Sequence, residues 1–139
     1  MLVLDTNVVS ALMHRVPAAL ARLRLSPPAD VVLCTPVAAE ILYGLSRLPG
    51  SSRRRALLAE EYERLREAVA WVDWTEAAAA EFGRQKAVLE QRGTTIEDMD
   101  VAIGSVALAL GARVATFNAR HLGRLEGLAV EDWTAPLSA

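Results

Sequence analysis

The feature that most constrains this chain is the repeated pairing of a short apolar run with a helix-start signal. Leu2-Val3-Leu4 runs straight into Asp5-Thr6-Asn7, and Val31-Val32-Leu33-Cys34 runs into Thr35-Pro36. Apolar runs of this length that end in capping residues or proline read as buried strands, each feeding a helix. Helices are expected over 8–13 and, with Pro17 in the first turn, over 18–25, where Ser26-Pro27-Pro28 stops the second. A further helix opens at Pro36 and runs to the Pro49-Gly50 break, and another runs from a Ser51 or Ser52 cap to about residue 70. Thr75 caps one more, ended near Arg92 by Gly93, and the last spans 98–110 before Gly111. Residues 71–72, 113–116 and 128–131 supply the remaining strands. Alternating strands and helices with short connections specify a parallel sheet of about five strands, covered by helices on both faces and joined by right-handed crossovers. In such doubly wound α/β sheets the working crevice lies beyond the carboxyl ends of the strands. Asp5 and Asn118 both fall at that edge.

Length and composition narrow the classes. One domain spanning 1–139 is expected from 139 residues, and 53% hydrophobic with 23% charged residues is a globular balance that excludes intrinsic disorder. The longest nearly apolar stretch, 101–110, is far short of the roughly 20 residues that cross a membrane. With Asp5 inside the first apolar residues and no basic region before them, a signal peptide is not expected, and a cytoplasmic location is. Cys34 is the only cysteine, so no intrachain disulfide or thiolate metal cluster can form, and a core role is expected for it. A formal net charge of −2 argues against a uniformly basic nucleic-acid surface but leaves room for basic patches, at Arg53-Arg54-Arg55 and at Arg15 with Arg22 and Arg24. Those arginines fit a phosphate track or solvated helix faces equally. Trp71, Trp74 and Trp133 stand near strand ends, where packing is the simpler role than base stacking.

Three acids stand where acids are awkward. On the helix after Pro36, residues 37, 40, 41, 44, 45 and 48 form one stripe, which puts Glu40 beside Val37, Ile41 and Leu45. An unpaired carboxylate there needs an arginine, a proton or a metal ion. Asp100 heads a similar stripe through Ile103, Gly104 and Ala107, or serves as a first-turn acid that complements the helix dipole. Asp5 closes the first strand, either as an N-cap or as part of a site. Carboxylates gathered at one sheet edge repel one another unless protonated or bridged, and hard oxygen ligands without His or Cys select Mg²⁺ or Mn²⁺. Asp98 is either a fourth ligand or half of a Thr95-x-x-Asp98 capping box, and Asn118 is either an oxygen ligand or a turn residue.

Leu4-Asp5-Thr6-Asn7, Glu40 with Leu42-Tyr43-Gly44, Gly93 leading to Asp100-x-x-Ile103-Gly104, residues 114–120 (Val-Ala-Thr-Phe-Asn-Ala-Arg) and the closing Gly127-Leu128-x-Val130-Glu131-Asp132-Trp133 occur in an order and spacing that resembles the PIN-domain ribonucleases, in particular VapC-type toxins of toxin–antitoxin pairs. The resemblance runs end to end. It implies a PIN-like three-layer fold and a metal-dependent endoribonuclease whose catalytic and metal-binding acids are Asp5, Glu40 and Asp100, with Thr6 beside them. Asp98, Asn118 and Thr6 are the residues expected to add a ligand or support the site. Mg²⁺, replaceable by Mn²⁺, is the implied cofactor, and metal-activated water attacking phosphorus in line is the implied reaction. The implied partners are RNA, a small neutralising antitoxin and a second copy of the chain. His121 stands where such toxins usually carry an aromatic residue, so packing is expected of it.

The antitoxin is expected to lie along Leu12, Met13, Val16, Leu20 and Leu23, near Tyr62 and Leu65, unless those residues face the sheet. A PIN-like module that binds RNA or protein without cutting is the alternative. Other phosphoryl chemistries fit poorly: haloacid dehalogenase phosphatases need an acid where Asn7 stands, and no glycine-rich phosphate loop or Gly-x-Ser-x-Gly elbow occurs.

Overall fold

A computed structural model describes residues 1–137 of the chain. Five parallel strands form one sheet: β1 (Leu2–Leu4), β2 (Val31–Cys34), β3 (Ala70–Val72), β4 (Arg113–Thr116) and β5 (Val130–Asp132), in the order β3-β2-β1-β4-β5. Every residue of β1 and β2 is buried, as expected of strands covered on both faces. Helices α1 (Thr6–Met13) and α2 (Pro17–Arg24) join β1 to β2, and α3 (Thr35–Ser46) and α4 (Arg53–Ala68) join β2 to β3. The chain then reverses direction across the sheet through α5 (Glu76–Gln91) and α6 (Asp98–Leu110) to β4, and α7 (Ala119–Leu122) leads to β5. Right-handed crossovers put α1 to α4 on one face and α5 to α7 on the other. The winding direction switches between β1 and β4, so a crevice opens at their carboxyl ends.

The expected element types hold, with local differences. The helix expected from 8 begins at Thr6, because the Asp5 carboxylate itself caps it by accepting from the Thr6 amide at 2.8 Å. Ser52 rather than Ser51 caps α4, and Thr75 caps α5. α7, only four residues long, was not expected, and β5 lies at 130–132 instead of 128–131, after the Gly127 turn at φ +81°. Burial on α6 is not a stripe: all of 101–107 is buried, because α5 packs over the side of α6 turned away from the sheet. Fully burying a side chain such as Ile103 contributes about 1.5–3 kcal/mol. At Gly104 a Cβ would collide with Leu125, so this glycine lets the segment after α7 press against α6. Gly111 ends α6 in the left-handed conformation at φ +66°.

Leu12, Met13, Tyr62 and Leu65 pack into the core, and each also forms part of the wall of a surface cavity. Leu12, Leu20, Leu23 and Leu65 together line a cavity of about 220 Å³ beside Arg15, Glu61 and Arg64, and Val16 is exposed, so several of the residues expected to face the antitoxin share one surface. Cys34 is buried in the core as expected, and that burial pushes the thiol up to about 11. Trp133 is buried, Trp71 packs edge-on against Tyr62, and Trp74 packs against Phe82. Among the described residues no helix is long and apolar enough to cross a membrane.

Candidate functional site

The carboxyl end of β1 delivers Asp5 into the crevice. Its amide continues the sheet ladder to the Ala115 carbonyl at 2.9 Å, which pins the backbone, and its side chain is 3% exposed. One carboxylate oxygen accepts from the Thr6 amide at 2.8 Å and the other from the Thr116 hydroxyl at 2.6 Å. Burial nevertheless pushes the Asp5 carboxyl above its ordinary range, outweighing those two hydrogen bonds. Asp5 is thus both an N-cap and a member of the site, so the two sequence readings coexist.

Thr6 couples two of the acids. Its amide serves Asp5, and its hydroxyl donates to Glu40 Oε1 at 2.5 Å. Glu40 is half-buried at the edge of the α3 stripe; Val37, Ile41 and Leu45 are buried, whereas Gly44 is exposed. Asp100, in the first turn of α6, is also half-buried. Burial, and then the negative charges of Asp5, Glu40 and Glu97, push its carboxyl up to about 6. The three predicted acids therefore meet electrostatically at one edge.

Thr116 was missed in the sequence. It is fully buried at the end of β4, where its hydroxyl donates to Asp5 while accepting from the Asn118 amide at 2.9 Å and from Asn7 Nδ2 at 3.4 Å. Asn7 Oδ1 in turn accepts from the Phe117 amide at 3.2 Å, so α1 and the β4–α7 turn are stitched together over Asp5. The available signal was the pairing of a strand-end hydroxyl with a strand-end acid on adjacent parallel strands.

The other expected site residues fall elsewhere. Asp98 is exposed and pairs with Lys86 of α5 at 3.1 Å. The capping box does not form either: Glu97 is the N-cap residue of α6 and no side chain caps it. Two helical residues apart means about 200° of rotation, so Asp98 and Asp100 cannot face the same way. Asn118 precedes α7, and its side-chain amide lies 2.7 Å from His121 Nδ1, which gives His121 a polar partner rather than a purely packing role.

The donor set is oxygen only, and among the described residues no arginine, lysine or histidine forms an ion pair with Asp5, Glu40 or Asp100. Buried carboxylates without a counter-ion call for protons or a hard cation. Also among the described residues, no three His, Cys, Asp or Glu side chains stand at metal-holding spacing, so binding a cation requires Glu40 or Asp100 to swing inward. Thr6 and Thr116 hold Asp5 in place, leaving the outer two as the adjustable partners.

Comparison with known proteins agrees with this fold. The PIN domain family profile matches residues 2–128. A tRNA(fMet)-specific endonuclease VapC of Shigella flexneri is 25% identical over 131 residues, covering 94% of this chain and 96% of that protein. One of the same name from Salmonella typhimurium is 30% identical over 94 residues, 68% of each. Among solved structures, VapBC2 from Rickettsia felis, bound to a DNA fragment from its promoter, superposes with a TM-score of 0.83 at 25% identity, covering 95% of this chain and 98% of that one.

Proposed function

This chain belongs to the PIN domain family, and on that footing we propose that it is a divalent-metal-dependent endoribonuclease acting as the toxin of a toxin–antitoxin pair. One observation carries the reading: Asp5, Glu40 and Asp100 crowd one sheet edge without a cationic partner among the described residues, and burial, followed by the neighbouring negative charges, lifts Asp100 to about 6. Mg²⁺ or Mn²⁺ held by these three would supply Lewis acidity toward a phosphodiester and a water of lowered pKa. The chain's own contribution is orientation. Thr116 and the Thr6 amide fix both oxygens of Asp5 before substrate arrives, and the Thr6 hydroxyl tethers Glu40, which with Asp100 would close inward on a bound cation. Asp98, paired with Lys86, is outside this proposed set, and Asn118 supports it only through Thr116.

The named activity of the Shigella and Salmonella relatives makes tRNA the first substrate to try. Kinship with VapBC complexes supports a small antitoxin as partner. Leu42, Tyr43 and Trp74, exposed at 51%, 65% and 41%, support a second copy packing beside α3. The test is cleavage of RNA by the purified protein with Mg²⁺ or Mn²⁺, with EDTA, and with Asp5→Ala. Cleavage should need the metal and vanish in the variant while its circular dichroism stays unchanged. Undiminished activity in EDTA refutes the metal mechanism. In cells, expression should arrest growth and co-expression of the antitoxin should restore it; harmless expression of a protein that cuts no RNA favours a non-cutting binding module.

A further inference from the structure

The arginines at 53–55 do different things in the fold. Arg55 is taken up structurally: its Nη1 donates to the Leu48 carbonyl at 3.1 Å and its amide donates to the Ser52 hydroxyl. Arg54 instead reaches toward α1, where its Nη2 lies 3.4 Å from His14 Nε2. The other ring nitrogen, Nδ1, lies 2.8 Å from the Ser10 carbonyl, which only accepts, so Nδ1 carries the proton and Nε2 offers a lone pair to the guanidinium. A neutral imidazole orients Arg54 without cancelling its charge. Among the described residues no carboxylate pairs with Arg54, whereas in the other predicted patch Arg15 is paired with Glu61 and Arg22 donates to the Ala135 carbonyl.

Arg54 and His14 line a groove of about 240 Å³ that also includes Thr6 and Glu40 of the acidic site. His14 follows Thr6 by eight residues along α1, about 12 Å at 1.5 Å per residue. At ~3.4 Å per nucleotide of a stacked strand, that spans three or four nucleotides. Gly44 also lines the groove, and a Cβ added there would meet no atom within 4 Å, so the groove has open space beside it. A phosphodiester strand seated at the acidic edge continues past it as a polyanion, and an uncancelled guanidinium fork along its course is suited to hold a phosphate.

We infer that Arg54, oriented by His14, is a phosphate-binding residue of the RNA track, gripping the backbone a few nucleotides from the scissile position. This rests on the ribonuclease reading for its substrate class. The test is binding of a fluorescent single-stranded RNA in EDTA, followed by anisotropy across a salt series, for wild type, Arg54→Gln and Gly44→Leu. Arg54→Gln should weaken binding roughly tenfold at low salt, and the slope of log K against log salt should fall by about 0.7, one single-strand phosphate contact. Gly44→Leu should weaken binding by obstruction while leaving the slope unchanged.

Wild-type affinity and slope in both variants would overturn the inference, as would absence of RNA binding by the wild type. It is also overturned if the variants lose a co-expressed antitoxin but keep RNA, since the groove then holds a peptide. If Arg54 sets RNA affinity yet the wild type cuts nothing with Mg²⁺ or Mn²⁺, the inference stands and the nuclease reading fails. If the wild type cuts and Arg54→Gln binds normally, the reverse holds.

Discussion

Replacing Asp100 by Asn removes one of three crowded negative charges while keeping the side chain's shape. The Asp100 carboxyl sits at about 6 rather than its ordinary 3.8, raised by burial and then by Asp5, Glu40 and Glu97. An acid whose pKa is higher in the folded state binds its proton more tightly there than in the unfolded chain. Its stabilising contribution is therefore complete below pH 3.8 and is lost as pH rises through about 6. At pH 7.5 the ionised Asp100 costs stability. The gap between 3.8 and about 6, at roughly 1.36 kcal/mol per pH unit, bounds that cost near 3 kcal/mol. Solvent reaches this half-buried group, and screening reduces the figure to about 1.5 kcal/mol. For a chain of this size that corresponds to a rise of about 6 °C in Tm. Asp100→Asn, measured by scanning calorimetry in EDTA, should melt higher than wild type at pH 7.5, and the gain should fade at pH 4.5, where wild-type Asp100 is already largely protonated. Adding Mg²⁺ at pH 7.5 should stabilise the wild type more than the variant, because the variant has lost a ligand charge. A variant no more stable than wild type at pH 7.5, or a gain that persists at pH 4.5, would refute the electrostatic reasoning.

Thr116→Val should slow RNA cleavage ten- to hundredfold, in keeping with the roughly 1.5–3 kcal/mol of a hydrogen bond to a charged group, and Thr116→Ser should restore most of the rate in the same assay. Gln85 is fully buried and grips the Glu126 peptide at both its carbonyl (2.8 Å) and its amide (2.9 Å), so Gln85→Leu should cost about 1–3 kcal/mol in urea unfolding. Asp98→Asn should leave both metal titration and cleavage near wild type, since Asp98 faces Lys86; a weakened metal response would return it to the ligand set.

Strand and helix order was legible because each apolar run meets a cap or a proline, as at Leu4-Asp5 and Cys34-Thr35-Pro36. The convergence of Asp5, Glu40 and Asp100 was legible because parallel winding gathers strand ends and the helix starts that follow them. What escaped has equally physical reasons. A helix as short as α7 has too few residues to show a period. The Asp100 stripe looked one-sided because a sequence does not announce that α5 covers the far face of α6. Thr116 read as one more residue of a buried strand, since its partner Asp5 lies 111 positions away. How far Leu12, Met13, Tyr62 and Leu65 serve the core and how far a surface cavity was not legible, because apolar helix residues look alike whether they meet a partner or their own sheet.

The position of β1 in the sheet sets a timetable for the chain's synthesis. The central strand β1 precedes both of its neighbours, β2 and β4, in the chain, so one side of its ladder stays unpaired until residues 113–116 emerge. Asp5 is made well before the Ala115 carbonyl and the Thr116 hydroxyl that fix it, the latter 111 positions further along the chain. Contacts of such long sequence separation also form slowly once the chain is complete. The acidic edge thus cannot be completed until β4 has joined the sheet.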